Sequence, residues 1–250
     1  STLFPYTTLF RSTNRKLSLV LGGSMEYKIL YQDTFPMVEC YLAAGESIKA
    51  ESGAMVGMDN TLDIEGKLEK GLMGGLTRML AGEKIFFQNI TASRGAGKVL
   101  LAPTTLGSVI DYKLDGMNDL IVQKDGYLAS EHSVDVSTKT QNLAQGLFSG
   151  EGFFILKVSG RGTVFLNSYG SIHEIDLQAG QEYIVDNQHL VAWTSNTDYK
   201  IEKASSSGWI SSLTSGEGFV CRFRGPGKVF MQTRNPGSFP RWINSMVITK

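Results

Sequence analysis

One short segment occurs three times in this chain, and it restricts the fold to architectures built by reusing a single unit. Ser149-Gly150-Glu151-Gly152-Phe153-Phe154 returns as Ser215-Gly216-Glu217-Gly218-Phe219-Val220. A degenerate copy stands earlier as Ala81-Gly82-Glu83-Lys84-Ile85-Phe86-Phe87. The glutamates are 68 and then 66 residues apart. A period of that size implies one supersecondary unit used three times.

The residues around each copy fix the type of unit. Phe153 to Val158 runs into Gly160-Arg161-Gly162 and then Thr163-Val164-Phe165-Leu166. Phe219 to Arg224 runs into Gly225-Pro226-Gly227 and then Lys228-Val229-Phe230-Met231. Ile85 to Ile90 is followed by Gly95-Ala96-Gly97 and Lys98-Val99-Leu100-Leu101. Each reads as strand, glycine turn, strand. Phe219, Cys221 and Phe223 alternate with Val220, Arg222 and Arg224, the period of a strand with one buried face. Upstream, each unit carries an apolar run, a polar turn and a second apolar run. Asp125-Gly126 and Asp186-Asn187 supply residues that suit a tight hairpin turn.

This pattern predicts an all-β protein: a β-sandwich or double-stranded β-helix-like body with three internal pseudo-symmetric repeats, at about 25–105, 106–170 and 171–235. Each unit is too small to bury an adequate core alone, and no Pro/Ser-rich linker separates them, so 25–235 is read as a single domain. Residues 236–250 form a C-terminal tail. Residues 1–24 read as foreign to the fold. Thr2 to Ser12 resembles a translated sequencing adapter, and Met25 is the expected start. Without that stretch 21 basic residues face 24 acidic ones, a formal charge of −3. Such a body is no general nucleic-acid binder.

Several of these segments together carry a family likeness. Glu51-Ser52-Gly53-Ala54-Met55-Val56, Leu100-Leu101-Ala102-Pro103, Leu147 to Phe154, Tyr169-Gly170 and Gln232-Thr233-Arg234-Asn235-Pro236 occur in this order. From about Met25 to Pro236 the chain resembles the altered inheritance of mitochondria (Aim-twenty-four) family. The resemblance implies a fold related to the trp RNA-binding attenuation protein, often assembled in rings. It supplies no catalytic residue. The mitochondrial branch is associated with inner-membrane organisation, and this chain is expected to be a bacterial-type, cytoplasmic member.

Candidate sites follow from the pseudo-symmetry. Leu72, Met73 and Leu76, Leu147 and Phe148, and Trp209, Ile210 and Leu213 precede the three Gly-Glu copies. Three apolar loops at one end of the molecule would contact another subunit or a lipid surface. The plainer alternative makes them short helical turns plugging the sandwich ends. Glu83, Glu151 and Glu217 are read as turn-capping carboxylates, with a cation site as the bolder alternative. From Phe219 to Lys250 there is no acid, and Arg222, Arg224, Lys228 and Arg234 form a candidate anion patch. Pairing with acids of the other repeats is the competing reading. Phe239-Pro240-Arg241-Trp242-Ile243 is amphipathic and would cover a neighbour or an open end.

His132, His173 and His189 lack metal-ligand spacing, and no nucleophile elbow or phosphate-binding loop is present. Neither a catalytic residue, a cofactor nor a metal is assigned. Cys40 and Cys221 read as two buried small hydrophobes, which suits a reducing compartment. The expected function is a non-enzymatic, self-associating β scaffold. Its partners are further copies in a trimer or higher ring, with a lipid surface as a further partner. Nucleic acid is not expected. A ligand- or RNA-binding ring and an enzyme using an unrecognised carboxylate site are the alternatives.

Overall fold

The computed structural model describes residues 25–32, 34–66, 87–140, 154–203 and 219–247. These form strands β1 (Glu26–Leu30), β2 (Met37–Leu42), β3 (Ser47–Glu51), β4 (Met55–Met58), β5 (Asp63–Gly66), β6 (Phe87–Thr91) and β7 (Gly97–Leu101). Next come β8 (Val109–Asp115), β9 (Leu120–Gln123), β10 (Tyr127–Glu131), β11 (Val134–Thr140) and β12 (Phe154–Asn167). The last group is β13 (Ile172–Leu177), β14 (Glu182–Asp186), β15 (Leu190–Thr194), β16 (Asp198–Lys203), β17 (Phe219–Arg224) and β18 (Gly227–Gln232). One helix, α1 (Ser238–Met246), follows. The fold is all-β, as the strand-length runs and glycine spacing predict.

Strand pairing is antiparallel throughout and falls into three sets. First, β2 and β4 flank β7 while β3 and β5 flank β6. Second, β8 and β10 flank the C-terminal half of β12 while β9 and β11 flank its N-terminal half. Third, β13 and β15 flank β18 while β14 and β16 flank β17. A register shift falls at matching places, between Met55 and Gly57, Tyr127 and Ala129, and Leu190 and Ala192. Two ladders stitch neighbouring sets: β10 pairs with β3, and β15 pairs with β9.

The cores explain why the chain folds this way. Alternation puts Val38, Cys40 and Leu42 of β2 inside and leaves Met37, Glu39 and Tyr41 half-buried. Three apolar clusters result, and each crosses a boundary between sets. The first joins Ile48, Ile90, Val99 and Leu101 to Leu128, Ala129 and Phe165. The second joins Leu120, Leu156 and Val164 to Val191, Ala192 and Phe230. The third holds Trp193, Cys221, Phe223 and Val229 with Ile121 and Ile155 of the preceding set. The aromatic edges pack against faces, as Tyr27 does on Phe165 and Tyr112 on Phe230 at centroid separations of 4.9 and 5.6 Å.

Two local expectations are corrected. Gly160-Arg161-Gly162 is not a turn, because β12 runs straight through it for 14 residues. Both glycines adopt positive φ, 101° and 148°, which lets one strand leave one pair of partners and join another without ending. Asp125-Gly126 and Asp186-Asn187 are not hairpin turns either. They lie at 3₁₀ turns, Lys124–Gly126 and Asn187–His189. Asp186 Oδ1 accepts from Gln188 N at 2.8 Å. The flanking strands do not pair with each other, since β9 joins β12 and β15 while β10 joins β12 and β3. The flanks of Asp125-Gly126 are mostly buried, and each takes two strand neighbours rather than one hairpin partner.

Candidate functional site: two open sheet edges and a terminal helix

The inner junctions show what a filled edge looks like. β10 lies between β12 and β3, and its Leu128, Ala129 and Ser130 are fully buried. β15 lies between β18 and β9, and Val191, Ala192 and Trp193 are equally buried. β4 occupies the matching place in the first set, yet among the described residues it pairs only with β7. Its Val56 is 60% exposed and its Met58 36% exposed.

The opposite end is open in the complementary way. β3 and β9 each pair on both sides, whereas β14 pairs only with β17 among the described residues. Tyr183 and Ile184 of β14 are 39% and 47% exposed, where the matching Ile48 and Ile121 are buried. Among the described residues, apolar side chains and one-sided strand pairing thus occur together at both ends of the chain of sets. An exposed strand of this kind is a template for another strand.

A third exposed apolar element lies on the rim where β4, β10 and β15 begin. α1 follows β18 through Thr233 to Gly237. Thr233 N donates to Ser171 O and Arg234 N to Tyr169 O. Phe239, Trp242, Ile243 and Met246 form a stripe at helical spacing, and none of them is buried. Phe239 reaches back to Tyr169 with ring centroids 6.3 Å apart.

The sequence-predicted residues divide sharply. Leu72, Met73, Leu76, Leu147, Phe148, Trp209, Ile210 and Leu213 lie outside the described residues, as do Glu83, Glu151 and Glu217. The basic group is described, and it is partly neutralised. Arg222 meets Glu202 at 3.3 Å and Glu182 at 3.6 Å. Lys228 pairs with Glu174. Arg224 faces Glu182 and Asp198 across its two ladders. Arg234 stands apart from these strands, after β18. The four cations therefore do not form one stripe free for phosphate.

Polar chemistry elsewhere is committed to the fold. Tyr127 Oη hydrogen-bonds Ser130 Oγ at 2.8 Å and donates to Lys49 O at 3.3 Å, and burial pushes its phenol pKa up. Glu51, at the end of β3, has its carboxyl pushed up to about 7, by burial first and by neighbouring Asp125 second. A shallow pocket of about 280 Å³ contains Glu46, Glu131 and His132. Glu46 accepts from Ala43 N at 2.8 Å and Glu131 from Thr163 Oγ1 at 2.6 Å. His189 is tied to Gln232 O through Nδ1 at 2.8 Å. Among the described residues no His, Cys, Asp and Glu cluster could hold a metal ion. No described helix is long and apolar enough to cross a membrane.

The open edges had a signal in the sequence. Met55-Val56-Gly57-Met58 and Tyr183-Ile184-Val185 are as apolar as their buried counterparts. Sequence reasoning read them only as members of a repeat and missed that they are its ends.

Known proteins resemble this chain along most of its length. An uncharacterized protein from Streptococcus pyogenes serotype M6 is 34% identical over 235 residues, covering 91% of this chain and 92% of that protein. The crystal structure of a Streptococcus pyogenes protein superposes with a TM-score of 0.75 at 32% identity, covering 89% of this chain and all of that one. The mitochondrial altered inheritance of mitochondria protein 24 of Talaromyces marneffei is 26% identical over 166 residues, 64% of this chain but 39% of the fungal protein. The family described as Mitochondrial biogenesis AIM24 matches residues 27–234, and the chain belongs to that family.

Proposed function

We propose that this protein is a non-enzymatic, self-associating β scaffold built from three equivalent units, whose copies join head to tail through β14 of one and β4 of the next. The observation that carries this reading is the pair of unfilled edges. Within the chain, every unit but the last receives the following unit's bulged strand on its own second strand. Val56, Gly57 and Met58 stand where Leu128, Ala129 and Ser130, or Val191, Ala192 and Trp193, are buried. Extending the internal register places Val185 opposite Gly57 and Ile184 opposite Met58 of the next copy. The third core would then gain Val56 from the next copy, as the second core gains Val191.

Such a junction is heterologous, so it closes into a ring when the rotation per copy allows, and a trimer or a larger ring is the reading adopted here. Burying edge strands in this way also removes an aggregation hazard. Cytoplasmic residence fits the two buried free thiols, Cys40 and Cys221. The partial neutralisation of Arg222 and Lys228 speaks against a phosphate-binding ring.

The test uses two single-edge variants, Met58→Lys and Ile184→Lys, with mass measured by light scattering. The unaltered protein should be an oligomer, and each variant alone a folded monomer. Mixing the two variants leaves one live junction, so the mixture should form dimers and nothing larger. A monomeric parent protein, or variants that keep the parent's mass, would sink the scaffold.

A further inference from the structure

The strongest remaining feature is α1, a helix whose apolar stripe is left exposed. Its place in the chain path says what should cover it. The segment between β7 and β8 (residues 102–108) and that between β12 and β13 (168–171) each carry the chain from one set to the next along the same rim. They are laced together: Ser108 N donates to Gly170 O, Gly170 N to Leu106 O, and Gly107 bridges Gly170. The segment 168–171 is in turn laced to Thr233 and Arg234. α1 therefore begins at the point where a third crossover to a following set would start.

On the same rim, at the other end of the chain, stands the tip between β1 and β2. The register Leu30↔Met37 puts residues 31, 32 and 34–36 beside the end of β7. This tip holds the positions that precede β2, as 106–108 precede β8 and 169–171 precede β13. It exposes Tyr31 by 66% and Phe35 by 70%.

We propose that α1 docks on Tyr31 and Phe35 of the next copy, taking over between chains the role that the crossovers play within one. This inference rests on the head-to-tail reading. Phe239 and Trp242, 6.0 Å apart and tilted by 37°, present adjoining aromatic surfaces for Tyr31 and Phe35 of the neighbouring copy. Internal precedent exists, because Tyr169, which precedes β13, already packs on Phe239. A second copy fits better than a lipid surface. Interfacial helices carry a polar face rich in Lys and Arg, whereas the polar face of α1 is Ser238, Arg241, Asn244 and Ser245. The stripe alone exposes only a few hundred Å², less than the roughly 800 Å² per partner of a stable interface. It therefore adds to the β14–β4 junction rather than replacing it.

The test is a double variant, Phe35→Cys with Trp242→Cys, oxidised under non-denaturing conditions. The native thiols are buried and stay out of the reaction. Cross-linked species should climb in whole copies and stop at the mass of the closed assembly. A control pairing Trp242→Cys with Met117→Cys, an 83% exposed residue between β8 and β9, should give no ladder. In parallel, Phe239→Ser/Trp242→Ser should raise the dissociation constant of the assembly about tenfold or more, as loss of aromatic anchors does. A double cysteine variant that is oligomeric yet gives no ladder, or a serine variant that assembles as tightly as the parent, overturns the α1 contact and leaves the edge junction standing. A serine variant that keeps its mass but stops floating with phosphatidylglycerol vesicles overturns it in favour of lipid. A monomeric parent, read from its own mass by light scattering, overturns both readings.

Discussion

Single residues hold the junctions between sets. Gly107 approaches Gly170 so closely that a methyl group at its Cα would overlap the carbonyl oxygens of Ser168 and Gly170. Gly107→Ala should destabilise the fold by about 2–4 kcal/mol, readable as a lower urea midpoint, because neither obstacle is a side chain that can swing away. Trp193 is fully buried and packs on Tyr199 and Phe223 at 4.8 and 5.6 Å. Trp193→Ala should cost about 3–5 kcal/mol. Glu51 gives a pH signature. Its folded pKa, about 7, lies above that of a free carboxyl, so the folded chain binds the proton more tightly than the unfolded one. Stability should fall as pH rises from about 4.5 to about 7 and level off above, once the carboxyl is ionised in both states. Glu51→Gln should flatten that slope and stabilise the protein at pH 8 by up to about 1 kcal/mol, a figure discounted because the carboxyl is part-exposed. Denaturant melts at pH 5 and pH 8 measure it.

At the scale of elements, strand identity was legible and strand connection was not. The alternation in Phe219 to Arg224 reads directly as β17, with Cys221 and Phe223 buried. The Gly225-Pro226-Gly227 break between β17 and β18 is equally plain. The same glycine spacing misleads in β12, where Gly160 and Gly162 bend a strand instead of ending it. Local composition reports that φ is positive; it does not report which strands lie alongside. Asp125-Gly126 misleads for a related reason, since its flanks find partners far away in sequence. The apolar character of β4 and β14 was legible, but not that their edges stay open, because an apolar strand looks the same whether its neighbour belongs to its own chain or to another. Gly160→Ala tests the bend. A side chain at φ 101° is strained, and its Cβ would meet Ser133 O at 3.1 Å. A loss of about 1–3 kcal/mol is expected, with the thermal midpoint as readout.

For the whole molecule, three cores that straddle set boundaries make the sets interdependent. The first set's cluster is incomplete without Leu128 and Phe165, and the second's without Val191 and Phe230. Unfolding should therefore be one transition by fluorescence and circular dichroism alike, with no populated species in which one set is melted. Non-coincident curves would show that the sets melt separately.

The long strand β12 carries this interdependence in a single piece of backbone. Its first half is held by β9 and β11 and its second by β8 and β10, and no loop separates the halves. A fluctuation that frees one half drags on the other, so the strand acts as a splice between two fabrics. Amide deuterium uptake should reflect that: residues 155–158 and 163–166 exchange through one shared opening and slow together.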